Sequence, residues 1–490
     1  MPPLFPPLSL QAHRLLYAWL WLAVASLVGA GVFAGLVAMA RTPIIQDLLP
    51  GGDYFRRALV GHVILAVVVW FLAFQGGLWV LAVDDRRRGV MHYAPTAWIG
   101  FWAAALGVVT LIIPAILGWG EPVLANYIPV LTHPWFLSGL LLFGAGMGLA
   151  AVRTLWAVYR TARPVTFIAY GAGITAGLVL VSLICFLLAA LSLPAGALTA
   201  ISALGGFEKL AWGGGHVLQF ANTAAMALAW LLLARLTLGV QVLEDRWVKG
   251  ILVLYLVFAL PAPFLYIGAS SDSYFTLLMA FGLGPATGII AMALIWVIIR
   301  GRWARLPWGD PGFAGLVLSL AVFGLGCLLS LGIRGSASGG NVIIPAHYHG
   351  VIGGVTLAFM GLSYHLLPRL GRKVWSPLLA RVQPYLYGTG QTLFVLGLFW
   401  AGVHGVPRKT FGTAQGLHQM AQVMGMGLMG LGGLVAILGG IAFIVNLVPS
   451  LLGRAGKAQS HPIADFELLI SDLNLQSAVR NPKFPIGDKP

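Results

Sequence analysis

Apolar stretches of about 20 residues recur along almost the whole chain, each long enough to cross roughly 30 Å of hydrocarbon. Inside lipid every backbone N–H and C=O must be bonded within the protein, so only helices and closed barrels can span. The stretches are continuously apolar, where barrel strands would alternate over about ten residues. The chain therefore reads as an all-α, polytopic membrane protein. Of its 490 residues 59% are hydrophobic and 9% charged, far from the roughly 25% charged content of soluble domains. One bundle fits better than the three soluble domains that length alone would suggest.

Setting apolar runs against flanking charges predicts twelve transmembrane helices, over residues 15–40, 57–83, 97–119, 135–158, 167–193, 210–239, 248–269, 275–299, 311–333, 342–368, 378–403 and 417–448. Residues 1–449 form one transmembrane domain and 450–490 a polar tail carrying Asp465, Glu467, Arg480 and Lys483. The first span is longer than a signal-peptide core and lacks a cleavage site, so it is expected to stay.

Lys and Arg set the orientation. Loops after even-numbered spans hold Arg86, Arg87, Arg88, Arg153, Arg160, Arg163, Arg235, Arg246, Lys249, Arg300, Arg302, Arg305, Arg369, Arg372, Lys373 and Arg381. Those after odd-numbered spans hold only Arg41, Arg56, Arg57, Lys209, Arg334, Arg408 and Lys409. This asymmetry puts both termini in the cytoplasm of a bacterial-type inner (plasma) membrane. The net charge of +15 then reflects topology and lipid headgroups, not nucleic acid. Cys185 and Cys327 both lie in apolar spans, which supports neither a disulfide framework nor a thiolate cluster.

In a chain so poor in charge, polar side chains within spans are functional candidates. His62, His216, His347 and His349 each lie early in a span that enters from the outer side, so all four share one depth. His347 and His349 are rotated by about 200° on a helix and face nearly opposite ways. They suit two different metals flanking one helix, and imidazole is a common axial ligand of haem iron. His62 offers a second imidazole at matching depth. A lone buried histidine is most simply a packing residue bonded to a carbonyl; four at one level, with an i,i+2 pair, favour ligation.

Several segments now point to a family. They are WGGGH ending at His216, AHYH at 346–349 followed by LAFMGLSYHLLPRLG, YFTLLMAFGLGPATGI at 274–289 and GVPRK at 405–409. In order and helix position this set resembles the catalytic subunit of haem-copper oxidases and their nitric oxide reductase relatives. The resemblance implies two haems, expected to be of b type. His62 and His349 would ligate a low-spin haem, and His347 would be the proximal ligand of a high-spin haem whose other face binds a gas. Arg408 and Lys409 match a basic pair that holds haem propionates, which suits two cations at the outer edge of span eleven. His216 would be one of three histidines holding copper or non-haem iron.

The departures are equally informative. Span seven, GILVLYLVFALPAPFLYIGASSDSYF, has no histidine where the family places an adjacent pair, near residues 259–262. One imidazole is a poor copper site, so His216 is at most a residual second-metal ligand; Tyr255 and Tyr266 are the other polar groups there. Position 220 is Phe220, where many oxidases of the family carry a proton- and electron-donating tyrosine. All fourteen acidic residues lie in loops, helix edges or the tail, which argues against inward proton pumping. Glu121, Glu208 and Asp272 on the outer side are candidates to feed protons.

His92, His133, His365, His404 and His418 lie near span ends, where water or headgroups satisfy them, and His13 and His461 in the tails. GMGLMGLGG at 425–433 reads as a helix-packing surface. There is no CxxCH motif and no soluble dicopper domain, so electrons are expected from a cytochrome c or quinol partner. The reading is thus a membrane dihaem oxidoreductase reducing a small diatomic gas, with NO ahead of O2. The alternative is a haem-based gas sensor or electron-transfer protein that has lost the second metal. A transporter would need broken helices with midplane polar residues, which the sequence does not show.

Overall fold

The computed structural model describes residues 8–48, 53–83, 91, 93–160, 165–198, 203–266, 282–301, 303–335 and 340–453. Arg86, Arg87, Arg88, His92, Arg163, Asp272, Arg302, His461 and the tail beyond residue 453 lie outside them, as do residues 274–281 of the 274–289 segment. Eleven helices among the described residues are long and apolar enough to cross a membrane, and a shorter apolar helix makes a twelfth. In chain order they are α1 (Leu10–Met39), α2 (Tyr54–Val83), α3 (Ala94–Leu117), α4 (Pro134–Arg160), α5 (Phe167–Ser192) and α6 (Ala203–Leu238). The second half comprises α7 (Asp245–Tyr266), α8 (Gly284–Arg300), α9 (Pro311–Ile333), α10 (Ile343–Leu366), α11 (Pro377–Val403) and α12 (Met420–Leu452). Each predicted span has its counterpart.

The start of α6 differs from expectation. Helix α6 begins at Ala203, not near 210, and runs for 36 residues. At 1.5 Å per residue that is roughly 54 Å, more than hydrocarbon requires, so the charged Glu208 and Lys209 that set the expected boundary are carried on a helical extension. The described part of α8 is Gly284–Arg300, and residues 275–281 of the expected span lie outside the described residues.

Several helices start where a side chain supplies the missing acceptor for their unpaired N–H groups. Ser9 Oγ accepts from the Ala12 N–H at 3.2 Å, Thr166 Oγ1 from that of Ala169, and Asp310 Oδ1 from those of Gly312 and Phe313 at 2.8 and 3.0 Å. Gln419 and Gln422 cap the start of α12 reciprocally. The 425–433 run packs within the bundle as its composition suggests, with Gly425 seated against Ala401 of α11.

The core lies around α6, α2 and α10, whose most apolar windows are 94%, 83% and 67% buried within the protein. These are the helices that carry His62, His216, His347 and His349. On the outside, Leu141, Leu191 and Ile299 are more than 70% exposed, a surface suited to lipid and not to water. A short antiparallel hairpin, β1 (Pro122–Val123) with β2 (Val130–Leu131), closes the α3–α4 connection and presents residues 124–129.

Buried polar groups in the core are mostly paired with each other. Gln75 Nε2 donates to Asn222 Oδ1 at 2.9 Å, and Trp230 Nε1 donates to Ser319 Oγ at 2.7 Å. Fully buried Asn446 accepts from the Ser376 N–H at 2.8 Å and donates to the Ser376 carbonyl at 2.9 Å, which clasps the start of α11 to α12. Asn446→Ala leaves both Ser376 groups without these partners and should cost about 1–3 kcal/mol. The expected result is a lower melting midpoint in detergent with an unchanged visible spectrum; an unchanged midpoint would show the clasp to be dispensable.

Candidate functional site

His62 comes from α2 and His349 from α10, and their rings meet with centroids 6.4 Å apart and planes only 14° from parallel. An imidazole–metal bond is about 2 Å long, so two rings on opposite sides of one metal have centroids about 6 Å apart. The pair therefore fits an axial bis-imidazole site. The tautomer of His62 is set by its partner: the Ala30 carbonyl, 3.1 Å from Nδ1, can only accept. Nδ1 carries the proton and Nε2 keeps the lone pair, as in metal-ligating histidines whose other nitrogen donates to a carbonyl. Directly after His62 and Val63, α2 widens into a π-helical segment, Ile64–Val69, a local irregularity that often accompanies functional sites. Phe394 of α11 packs edge-on against His349 at 4.8 Å.

His347 is turned away from this pair toward α9, where its Nδ1 lies 2.8 Å from the Gly326 carbonyl. The same logic protonates Nδ1 and leaves the lone pair on Nε2. This bond needs the two helices to be close: a Cβ at Gly326 would lie 2.6 Å from the Val351 nitrogen. Gly326 and its neighbour across the contact, Gly350, are thus the packing residues on which the orientation of His347 depends. One imidazole with this tautomer fits a single axial position.

His216 is different. Its Nδ1 donates to the Trp212 carbonyl at 2.7 Å, and its Nε2 lies 2.7 Å from the Tyr127 hydroxyl. Both ring nitrogens are engaged, and no group of three His, Cys, Asp or Glu suited to a metal occurs among the described residues. A second metal on His216 does not fit this arrangement. The span-seven tyrosines bond elsewhere: Tyr255 with Thr287 at 2.7 Å, and Tyr266 with the backbone of Gly213.

The basic pair sits over the start of α10, because Val342 N–H donates to the Val406 carbonyl and Arg408 N–H to that of Gly340. Lys409 adopts a left-handed φ of +59°, unfavourable for a residue with a Cβ. Its ammonium donates to the Leu124 carbonyl at 2.5 Å and to Asn126 Oδ1 at 3.1 Å, while Asn126 Nδ2 donates to Glu208 Oε1 at 2.9 Å. Burial, followed by the charge of Arg408, lowers the pKa of Lys409, and Glu208 opposes the change. Glu208 is therefore part of a fixed network and not simply a solvated carboxylate.

Arg41 was not singled out by the sequence, yet it belongs here. Its guanidinium is buried just past α1, where it donates to the Pro407 carbonyl at 3.1 Å and to Gln415 Oε1 at 3.3 Å. Burial lowers its pKa to about 10, with Tyr348 opposing. A loop arginine gives no sequence signal that it will fold inward. Tyr127 was missed for the same reason. At the opposite end of the bundle, His365 is not merely hydrated: its Nε2 pairs with Asp310 Oδ1 at 3.1 Å. Burial would raise the Asp310 pKa, but the His365 bond and charge, with the N–H groups of Phe313 and Gly312, hold it below the usual value.

The description "Cytochrome C and Quinol oxidase polypeptide I" matches residues 14–454 of the chain. The chain belongs to that family. Among curated relatives it is similar to an uncharacterized protein of Rickettsia prowazekii, 27% identical, covering 88% of this chain and 95% of that one. Cytochrome c oxidase subunit 1 of Thermus thermophilus is 24% identical over 93% of this chain and 86% of its own. Among solved structures, a haem-copper terminal oxidase dimer superposes with a TM-score of 0.70 at 18% identity, covering 92% of this chain and 86% of that one. As a polypeptide I family member, the chain keeps the fold while closing His216 with Tyr127.

Lys409→Met should detach the α3–α4 connection from the basic loop, because both bonds that hold residues 124 and 126 are lost. Limited proteolysis of the protein in liposomes is expected to show faster cleavage within residues 118–133. Cleavage at the wild-type rate would show that the hairpin alone holds this segment.

Proposed function

We propose that the chain is the haem-bearing subunit of a membrane respiratory oxidoreductase that reduces a small diatomic gas, NO ahead of O2. In this reading His62 and His349 are the axial ligands of a low-spin haem and His347 the proximal ligand of a high-spin haem, both of b type. The observation that carries it is the opposed His62–His349 pair, 6.4 Å between ring centroids. His347 would hold a haem that would bind the gas and relay to it electrons received from the partner.

The protein's own groups do the rest. The Ala30 and Gly326 carbonyls fix the ligating tautomers of His62 and His347. Arg41, Arg408 and Lys409 are grouped at this end of the bundle, where their positive charge would neutralise haem carboxylates. Glu208, fixed by Asn126, is a candidate acid at that end to take up protons. Phe220 carries no O–H, so it cannot donate the proton and electron that four-electron O–O cleavage demands. NO coupling asks for only two electrons, which supports NO as the substrate. Electrons would arrive from cytochrome c or a quinol partner, and the positive-inside pattern supports cytoplasmic termini in a bacterial inner membrane.

The engagement of both His216 nitrogens supports a second reading, a haem-based sensor or electron-transfer protein. Turnover decides between them: sustained NO or O2 consumption supports the reductase, whereas ligand binding without consumption supports the sensor.

Two haems per chain are expected. His62→Ala or His349→Ala should abolish the low-spin signal and retain the other haem, read by reduced-minus-oxidised spectra; both haems surviving either change would refute the ligand assignment. Reduced wild-type protein should bind CO, and His347→Ala should lose that response. A bis-imidazole spectrum for both haems, indifferent to CO, would rule out the gas site.

A further inference from the structure

Tyr127 is built onto His216 by several independent features. Its hydroxyl lies 2.7 Å from His216 Nε2, and the ring centroids are 4.5 Å apart. Trp212, one turn before His216, packs edge-on against both rings, at 5.6 Å from Tyr127 and 4.8 Å from His216. The next residue down, Gly215, leaves the space that Tyr127 fills: a Cβ there would lie 2.6 Å from the Tyr127 Cβ. The backbone of Tyr127 is left-handed, φ +68°, a conformation that costs a non-glycine residue stability and persists only where its surroundings impose it. Those surroundings are the hairpin on one side and the Lys409–Asn126–Glu208 bonds on the other.

The hydrogen-bond chemistry leaves one arrangement. The Trp212 carbonyl, 2.7 Å away, can only accept, so Nδ1 of His216 is the protonated nitrogen. Nε2 then holds the lone pair, and the phenol donates to it. We propose that Tyr127 takes the place of a second metal on His216, leaving a hydrogen-bonded tyrosine–histidine pair at this end of α6. The pairing stands whichever gas the protein reduces and whether or not haem binds. It names the residue that excludes the metal.

The test uses full-length wild type, His216→Leu, Tyr127→Phe and the double variant, each reconstituted with excess Cu(I) or Fe(II) and then chelated mildly. Haem is quantified separately, so that failure of the haem reading is distinguishable. Wild type and His216→Leu should hold the same copper and non-haem iron, well below one equivalent. A chelation-resistant equivalent in wild type, or its loss in His216→Leu, overturns the proposal. Melting midpoints supply the second readout, because residues that act only through each other are non-additive. The double variant should melt no lower than the more affected single variant. Fully additive shifts would show that the two side chains are independent and would also overturn the pairing. Should His216→Leu fail to fold, wild type and Tyr127→Phe still decide the metal question, since a metal bound through His216 would persist in both.

Discussion

The arrangement of the site depends on where the imidazole protons go. In a bundle surrounded by lipid, a buried N–H without an acceptor is costly, and helix carbonyls are nearby acceptors. His62, His216 and His347 each place Nδ1 on one, at Ala30, Trp212 and Gly326. The same bond that satisfies the buried donor leaves Nε2 as a lone pair on the other side of the ring. The surroundings then separate His62 from His216: the ring of His62 lies beside that of His349, whereas Nε2 of His216 meets the phenol of Tyr127.

Packing and chemistry are coupled through the helix contacts that supply those carbonyls. The Gly326–Gly350 approach brings α9 against α10 and thereby fixes His347. The three most buried of the membrane-spanning helices carry all four histidines, which shields the site from lipid and keeps its geometry under the control of the core. At one end of the bundle, buried Arg41 and the strained turn at Lys409 bind residues 406–415 to the helix starts and to the α3–α4 hairpin. Cationic charge and mechanical closure are thus concentrated in the same loops.

The twelve helices were legible because lipid imposes continuous apolar runs, and errors arose where that rule stops applying. Helix α6 continues beyond the apolar run through Glu208 and Lys209, since helical bonding does not end at the membrane surface. The i,i+2 offset of His347 and His349 correctly separated their directions. It could not reveal that His349 would meet His62 while His347 would turn to Gly326, because those choices depend on interhelical contacts. Tyr127 and Arg41 were illegible for a similar reason. Each sits in a connection whose path is set by distant partners, and Tyr127 adopts a backbone conformation that its residue type disfavours. His365 was expected to be solvated, whereas its pairing with Asp310 joins residues 55 positions apart.

The central claim is that His62 and His349 present two opposed lone pairs to one iron. Near-infrared magnetic circular dichroism of the oxidised, purified protein tests it most directly, because the low-spin charge-transfer band reports the axial ligand pair. The account predicts one bis-imidazole low-spin haem per chain. A low-spin haem with any other axial pair, or haem that is entirely high-spin, would contradict it.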